Sequence, residues 1–309
     1  MRNILKLGIK KNRKYILGID LGGTHLRTGV VSWEGQLFLG QCLPMLSSYR
    51  KTIGLLRNLL RNYTTQFSIS GIGIGIAGQV CPEGKRLIFA PNLGWKNKSI
   101  ADELQAATTL PVRLENDVHA IAMGEWLCGG GRGISDLLCL ILGTGVGAGV
   151  IQNNCLITGY GHSYGEVGHM CLDVQGMTCR CGARGCIETF LGGWGLVKRA
   201  GEAGLIVKNA QELFALYRLS DPKALFVVKQ FKEALVATSV SLVNGFNPGR
   251  LLLGGGILQG IPEAIFWVQE QVPLRALPTA TKRLTILPTT LGAFSGVIGA
   301  AMLFWKNID

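Results

Sequence analysis

"YILGIDLGGTHLRTGVVSWEGQLFLGQ" (residues 15–41) and "DLLCLILGTGVGAGVIQNNCLITG" (residues 136–159) follow one plan. In each, an apolar run leads into a polar glycine-threonine turn, a second apolar run follows, and a further turn opens a third strand. Apolar runs this short, bounded by glycine, read as strands of a sheet. In the first copy the run ends at Asp20, and "HLRTGVVS" reaches a Glu34-Gly35 turn before "QLFLGQ". One plan met twice in a single chain predicts two α/β lobes of related build.

The intervening segments agree with that division. Residues 48–64 have helical spacing, "ISGIGIGIAG" is a buried strand, and "SIADELQAAT" is a helix opened by Ser99. "PVRLEND" is a short strand and "VHAIAMGEWLC" a helix. The expected lobes are 1–115 and 116–293 with a central cleft, and the last helix, 294–305, returns to the first lobe. "GIGIAG" (residues 73–78) formally matches the dinucleotide pattern G-x-G-x-x-G. That pattern needs a helix at once, so that its N-terminus meets the pyrophosphate. Here the turn-like "QVCPEGKR" follows, and the dinucleotide fold is excluded.

The 309 residues are 48% hydrophobic and 16% charged, which gives a sizeable core and excludes a disordered chain. A net charge of +12 suits anionic small molecules such as nucleotides or sugar phosphates. Outside Lys10, Lys11, Arg13 and Lys14 the basic residues are scattered, and no aromatic-basic platform accompanies them, so no nucleic-acid partner is expected. "GVIGAAMLFW" (residues 296–305), among the longest apolar stretches, is too short to cross a bilayer. An odd count of nine cysteines, with no secretory pattern in "MRNILKLGIKKNRK", points to a cytoplasmic protein without a disulfide framework.

Several short stretches carry chemistry. In "GIDLGGT" the Asp20 carboxylate stands beside Gly22, Gly23 and Thr24, where it can hold Mg²⁺ while backbone N–H groups cradle phosphate. A glycine hairpin with Asp20 bonded to its own turn is equally consistent with the residues. "LGTGVGAG", with Gly143, Thr144 and Gly145, has the same two readings. In "LENDVHA", Asp117 is either a helix cap or a general base, and spacing alone does not choose. "FAPNLGWKN" offers an Asn92 amide and the Trp95 ring to a sugar, or is an ordinary turn. Gly254, Gly255 and Gly256 precede a helix and can close over a nucleotide. His25, His119 and His162 show no partner in the sequence.

The most specific stretch is "GHMCLDVQGMTCRCGARGCIE" (residues 168–188). His169, Cys179, Cys181 and Cys186 are four nitrogen and sulfur donors with glycines permitting a tight knuckle, which suits closed tetrahedral zinc better than a disulfide. Glu166 stands three residues before His169, so both face one way if the segment is helical.

Together these motifs resemble the ROK family (repressors, open reading frames and kinases) of the actin-like ATPase, ribonuclease H-like superfamily. The likeness runs from Gly18 to the final helix. It is carried by "DLGGTHLR", "LGTGVGAG", "LENDVHA", "GEVGHM" and "CRCGARGCIE". The resemblance implies an ATP- and Mg²⁺-dependent hexose kinase with a structural Zn²⁺ in the second lobe, acting as a homodimer on glucose or an N-acetylhexosamine. It implies Asp117 as the base, and Asn92, Asn116, Glu166, His169 and Glu188 on the other sugar hydroxyls. Asp20, Gly22, Gly23 and Thr24 would face Mg²⁺ and phosphate together with Gly143, Thr144 and Gly145. Gly254–Gly256 would lie by the adenosine. A sugar-responsive regulator is the rival of another class. The fourteen residues before "YILGID" are too few for the DNA-binding domain it needs. Two departures bear on the sugar: Tyr164 just before Glu166, and His119 where many relatives have Asn.

Overall fold

In the computed structural model, which describes residues 14–305, the chain divides into two compact units. The basic residues Lys10, Lys11 and Arg13 lie outside the described residues.

The first unit is built on β1 (Tyr15–Leu21), β2 (His25–Ser32) and β3 (Leu37–Pro44), an antiparallel meander. Helix α1 (Tyr49–Gln66) then leads to β4 (Ile69–Ile76), which lies parallel to β1. A small antiparallel sheet follows, β5 (Gln79–Val80), β6 (Leu87–Ala90) and β7 (Trp95–Lys98). After α2 (Ile100–Thr108), β8 (Val112–Asn116) joins β4 in parallel and runs straight into α3 (Asp117–Cys128). The main sheet has the order β3-β2-β1-β4-β8.

The second unit repeats the scheme with β9 (Leu137–Leu142), β10 (Val146–Gln152) and β11 (Cys155–Leu156). Helices α4 (Glu188–Leu191), α5 (Gly193–Glu202), α6 (Ala210–Arg218) and α7 (Pro222–Phe246) precede β12 (Arg250–Gly254). Next come α8 (Gly256–Gly260), α9 (Ala264–Arg275), α10 (Pro278–Thr281), β13 (Thr285–Pro288) and, in the first unit, α11 (Ser295–Met302). The sheet order is β11-β10-β9-β12-β13, with β9 and β10 antiparallel and β12 parallel to both neighbours. In both units a glycine-turn hairpin thus meets a parallel strand on its other side.

The units do not divide at residue 115. The first extends through Arg132 and also takes in Leu156–Tyr164 and the chain from Thr290 on. Glycine explains why. On β4, Ile72, Ile74 and Ile76 are fully buried in one core, and the alternate positions on the opposite face are Gly71, Gly73 and Gly75. A Cβ on Gly73 would overlap the Ala300 carbonyl, and one on Gly18, its partner on β1, would overlap the Val297 carbonyl. Helix α11 therefore lies with its backbone directly on the sheet. It crosses α3 as closely at Gly124 and Gly299, so α3 packs with the first unit. The Gly73–Gly78 run that mimics a dinucleotide motif is followed by β5, not by a helix.

Candidate active site

In the first unit the functional residues gather where strands end. Asn116 closes β8, and its Oδ1 accepts from the Val118 and His119 N–H groups at 2.9 and 3.1 Å. Its Nδ2 donates to the Gly78 carbonyl at 3.2 Å. Asn116 is therefore the helix cap. Asp117 follows as the first helical residue, half-buried, with Oδ1 accepting from the Val118 N–H at 3.0 Å. A helix start favours the charged form of such a side chain.

Asp20 ends β1 under α11, where a Cβ on Gly296 would come within 3.0 Å of its Oδ2. Burial pushes its carboxyl up, and the Arg27 guanidinium, 3.5 Å away, opposes that. The Gly22 N–H donates to the His25 carbonyl at 3.0 Å, and the Thr24 hydroxyl lies 2.9 Å from His25 Nδ1. Asn92 sits exposed on the short 3₁₀ turn Pro91–Leu93, and a Cβ on Gly23 would meet the Asn92 Cβ at 3.3 Å. The structure thus brings the first glycine turn to Asn92. Trp95, for which an apolar sugar contact was one of two readings, is buried, with its ring edge-on to Tyr49 at 5.2 Å. It opens β7 with its side chain on the core face.

A buried group at the same corner was not legible in the sequence. Glu115 Oε1 accepts from the Asn116 N–H at 2.8 Å and lies 3.1 Å from His119 Nδ1. His162 Nε2 is within 2.9 and 3.0 Å of the two Glu115 oxygens, and His119 Nε2 is 2.8 Å from the Tyr164 carbonyl. Burial pushes the Glu115 carboxyl up, but the hydrogen bonds and charge of the two histidines outweigh it and hold it at about 2. Sequence reasoning found no partner for either histidine; the four-residue spacing of Glu115 and His119 was the signal that could have shown one, and nothing pointed to His162.

In the second unit, Gly143, Thr144 and Gly145 form the β9–β10 turn, closed by the Gly143 N–H on the Gly145 carbonyl at 2.9 Å. Gly254, at the end of β12, pairs with Ile141 near the end of β9, so both glycine segments sit at one edge of the sheet. Gly255 has φ +100°, and a Cβ there would overlap the Leu142 carbonyl, so only glycine fits. No atom lies within 4 Å of a Cβ built on Gly143 or Gly256, which leaves their backbone open to approach. Sequence reasoning missed Gly193, at the start of α5, whose N–H donates to the Gly143 carbonyl at 2.9 Å. Its signal was the glycine pair in "LGGWG" after the cysteine stretch. A cavity of 690 Å³ opens at Ile134–Asp136, at the start of β9 and so at the other end of that strand from Gly143. It contains none of the candidate residues.

Glu188 opens α4 and faces the same turn. Its Oε2 accepts from the Val146 N–H at 3.1 Å and its Oε1 from the Trp194 indole at 2.8 Å. Glu166 and His169 flank a single 3₁₀ turn, Val167–His169, and both are exposed. Residues three apart eclipse in that helix, which fits their shared direction. The donor atoms of His169, Cys179, Cys181 and Cys186 all lie within 4.8 Å of one another, and the cysteines are free thiols. Cys181 and Cys186 Sγ are 3.7 Å apart, and Cys179 Sγ is 3.8 Å from His169 Nδ1. A tetrahedron with zinc–sulfur bonds of about 2.3 Å has edges of about 3.8 Å, so the donor set fits zinc. Burial, with hydrogen bonds donated by the Cys186 thiol to the neighbouring sulfurs, pushes Cys186 up to about 12, and burial also raises Cys179. The Ala183 N–H lowers Cys181.

The profile of the ROK family matches residues 16–307. The chain belongs to the ROK family. Among curated ROK relatives, the N-acetyl-D-glucosamine kinase of Pectobacterium atrosepticum is 31% identical over 93% of this chain and 97% of its own length. The glucokinase of Streptomyces coelicolor is 30% identical over 78% of this chain and 81% of its own. The xylose repressor of Bacillus subtilis is 27% identical over 98% of this chain and 80% of its own. Among solved structures, the ROK glucokinase of Streptomyces griseus in complex with glucose and AMPPNP has a TM-score of 0.81 at 26% identity. It covers 94% of this chain and 98% of that one. The two mixed-sheet units are thus the actin-like α/β fold of ROK proteins.

Proposed function

We propose that this ROK protein is an ATP-dependent hexose kinase that phosphorylates the 6-hydroxyl of glucose. The observation that carries it is the corner at Asn116 and Asp117. Asn116 takes the cap of α3, so the neighbouring carboxylate is not needed there and can serve as a base. Asp117 accepts the proton of the sugar hydroxyl as its oxygen attacks the γ-phosphorus. The bond from phosphorus to the bridging oxygen breaks, and ADP leaves. Mg²⁺ held at Asp20 would neutralise charge on the phosphates.

The N–H groups of Gly22, Gly23 and Thr24 in the first unit, and of Gly143, Thr144 and Gly145 in the second, receive phosphate oxygens. Gly254, Gly255 and Gly256 admit the adenosine. Asn92, Glu166, His169, Glu188 and the remaining amide hydrogen of Asn116 hold the other sugar hydroxyls. Zinc on His169, Cys179, Cys181 and Cys186 fixes the turn that carries Glu166. The AMPPNP and glucose bound by the Streptomyces griseus relative support this assignment of substrates.

Asp117→Asn keeps the side chain's shape and removes the base. Turnover should fall by about 100-fold or more, with zinc content unchanged, and near-normal turnover would overturn the assignment. The Pectobacterium relative favours a second sugar, N-acetylglucosamine. Rates with ATP on glucose, mannose, fructose, N-acetylglucosamine and N-acetylmannosamine decide between them. Phosphoryl transfer to none of these, with tight binding to a DNA operator, would replace the kinase by a regulator akin to the xylose repressor.

A further inference from the structure

The buried group Glu115–His119–His162 has no role in phosphoryl transfer as described, and its hydrogen-bond accounting does not balance with neutral rings. His119 Nε2 faces the Tyr164 carbonyl, which only accepts, so this nitrogen carries a proton. Nδ1 faces Glu115 Oε1, which already accepts from the Asn116 N–H and lies against His162 Nε2, so this oxygen acts as an acceptor as well. A neutral ring has one proton for these two acceptors. It would leave a lone pair against either a buried carbonyl or a buried carboxylate, with a buried acceptor unsatisfied. A ring bearing both protons satisfies both and neutralises Glu115.

The second half of the group is strained. His162 has φ +58°, in the left-handed region. The turn around it is closed by the His162 N–H on the Gly159 carbonyl and the Tyr164 N–H on the Thr158 carbonyl. Such a conformation persists when its surroundings over-determine it. Here the Glu115 carboxylate does so, holding the His162 ring while its Oε1 also takes the Asn116 N–H. The segment so held, Leu156–Tyr164, ends two residues before Glu166. Helix α11 and strand β4, which also pack on α3, carry no ionisable side chain. The titratable groups placed against the His119 ring include Glu115 and His162, with Asp117 two residues away on its own helix and the charged Arg113 on β8, which also packs on α3.

We propose that His119, as a doubly protonated imidazolium bridging Glu115 and the Tyr164 carbonyl, is a positioning residue that fastens the segment leading into Glu166 to the strand-helix corner of Asn116 and Asp117. This rests on the sugar-kinase reading for its effect on substrate, but not for the charge on the ring. The sign follows from the charge: the clasp is present while the ring is protonated and is released as pH rises through the imidazolium titration. Sugar affinity should fall in that direction.

The experiment has two arms. Nitrogen-15 spectra of the histidine rings in the wild type, assigned with His119→Asn, should show both nitrogens of ring 119 protonated at neutral pH. A neutral ring would overturn the proposal. So would a second tightly bound divalent cation per chain that His119→Ala removes, because a metal on Nδ1 needs no proton there. In the second arm, His119→Ala and His119→Asn should raise the sugar KM about tenfold or more and leave the ATP KM within about twofold. The rise of sugar KM with pH seen in the wild type should disappear. An unchanged sugar KM in either folded variant would overturn the role. If the wild type phosphorylates no sugar, the kinase reading fails, and the spectra still decide the state of the ring.

Discussion

At the scale of single residues, the corner from Glu115 to His119 divides one short sequence among four tasks. Glu115 anchors two histidines, Asn116 caps the helix, Asp117, the proposed base, opens it, and His119 reaches back to the carboxylate. The sequence left open which of Asn116 and Asp117 caps the helix, because both residue types cap well. Only the backbone geometry separates them. Glu115 also makes a prediction. Its carboxyl is held at about 2, well below the ordinary glutamate range, so its contribution to stability is complete above about pH 4.5 and is lost as pH falls toward about 2. Glu115→Gln should therefore be less stable at neutral pH by on the order of 3 kcal/mol, the energy of so large a shift in a largely buried group. Urea unfolding across a pH series should show the difference from wild type shrinking steadily below pH 4.5 and vanishing near pH 2. A difference independent of pH would show that the loss lies in packing and not in charge.

At the scale of elements, glycine has two uses that look alike in sequence. "GIGIGI" and "GTGVGAG" both alternate glycine with apolar residues. In the first the glycines seat α11 against the sheet; in the second Gly143 is open on its outer side. Strand and turn were legible in both cases from the period of two and the flanking runs. The partner of each bare face was not, because α11 is more than two hundred residues distant in the chain from β4 and a missing Cβ does not name what occupies its place. The two uses predict opposite outcomes. Gly73→Ala drives a methyl into the Ala300 carbonyl and should cost about 1–3 kcal/mol of stability, seen as a lower urea midpoint. Gly143→Ala meets nothing within 4 Å, so the midpoint should stay while the ATP KM rises. If Gly143→Ala destabilised as much as Gly73→Ala, the phosphate role of the turn would lose its support.

At the scale of the whole molecule, each unit carries its own share of the chemistry, and the repeat of one strand plan made both units legible. Their limits were not, since Leu156–Tyr164 belongs to the first unit although it continues the third strand of the second. What holds it there is the pair of histidines that gave no signal in the sequence. In the proposed reading, the second unit separates substrate duties internally. Its glycine turn is held by the β9–β10 ladder and by Gly193, whereas Glu166 and His169 depend on a single 3₁₀ turn beside the cysteines. Backbone bonds of Ala148 to Gly165 and of Ile187 to Met170 hold the ends of that turn, and a metal on His169 would add an anchor at its side chain. Graded removal of zinc by a chelator, with metal content followed alongside kinetics, should then raise the sugar KM about tenfold or more before nucleotide affinity changes. Glu188 gives the limit of the separation, because its carboxylate touches the glycine turn two residues after Cys186. Nucleotide affinity should follow only once the knuckle is lost far enough to release Glu188. The reverse order, nucleotide before sugar, would place the metal's influence on the phosphate turn and overturn its assignment to sugar recognition.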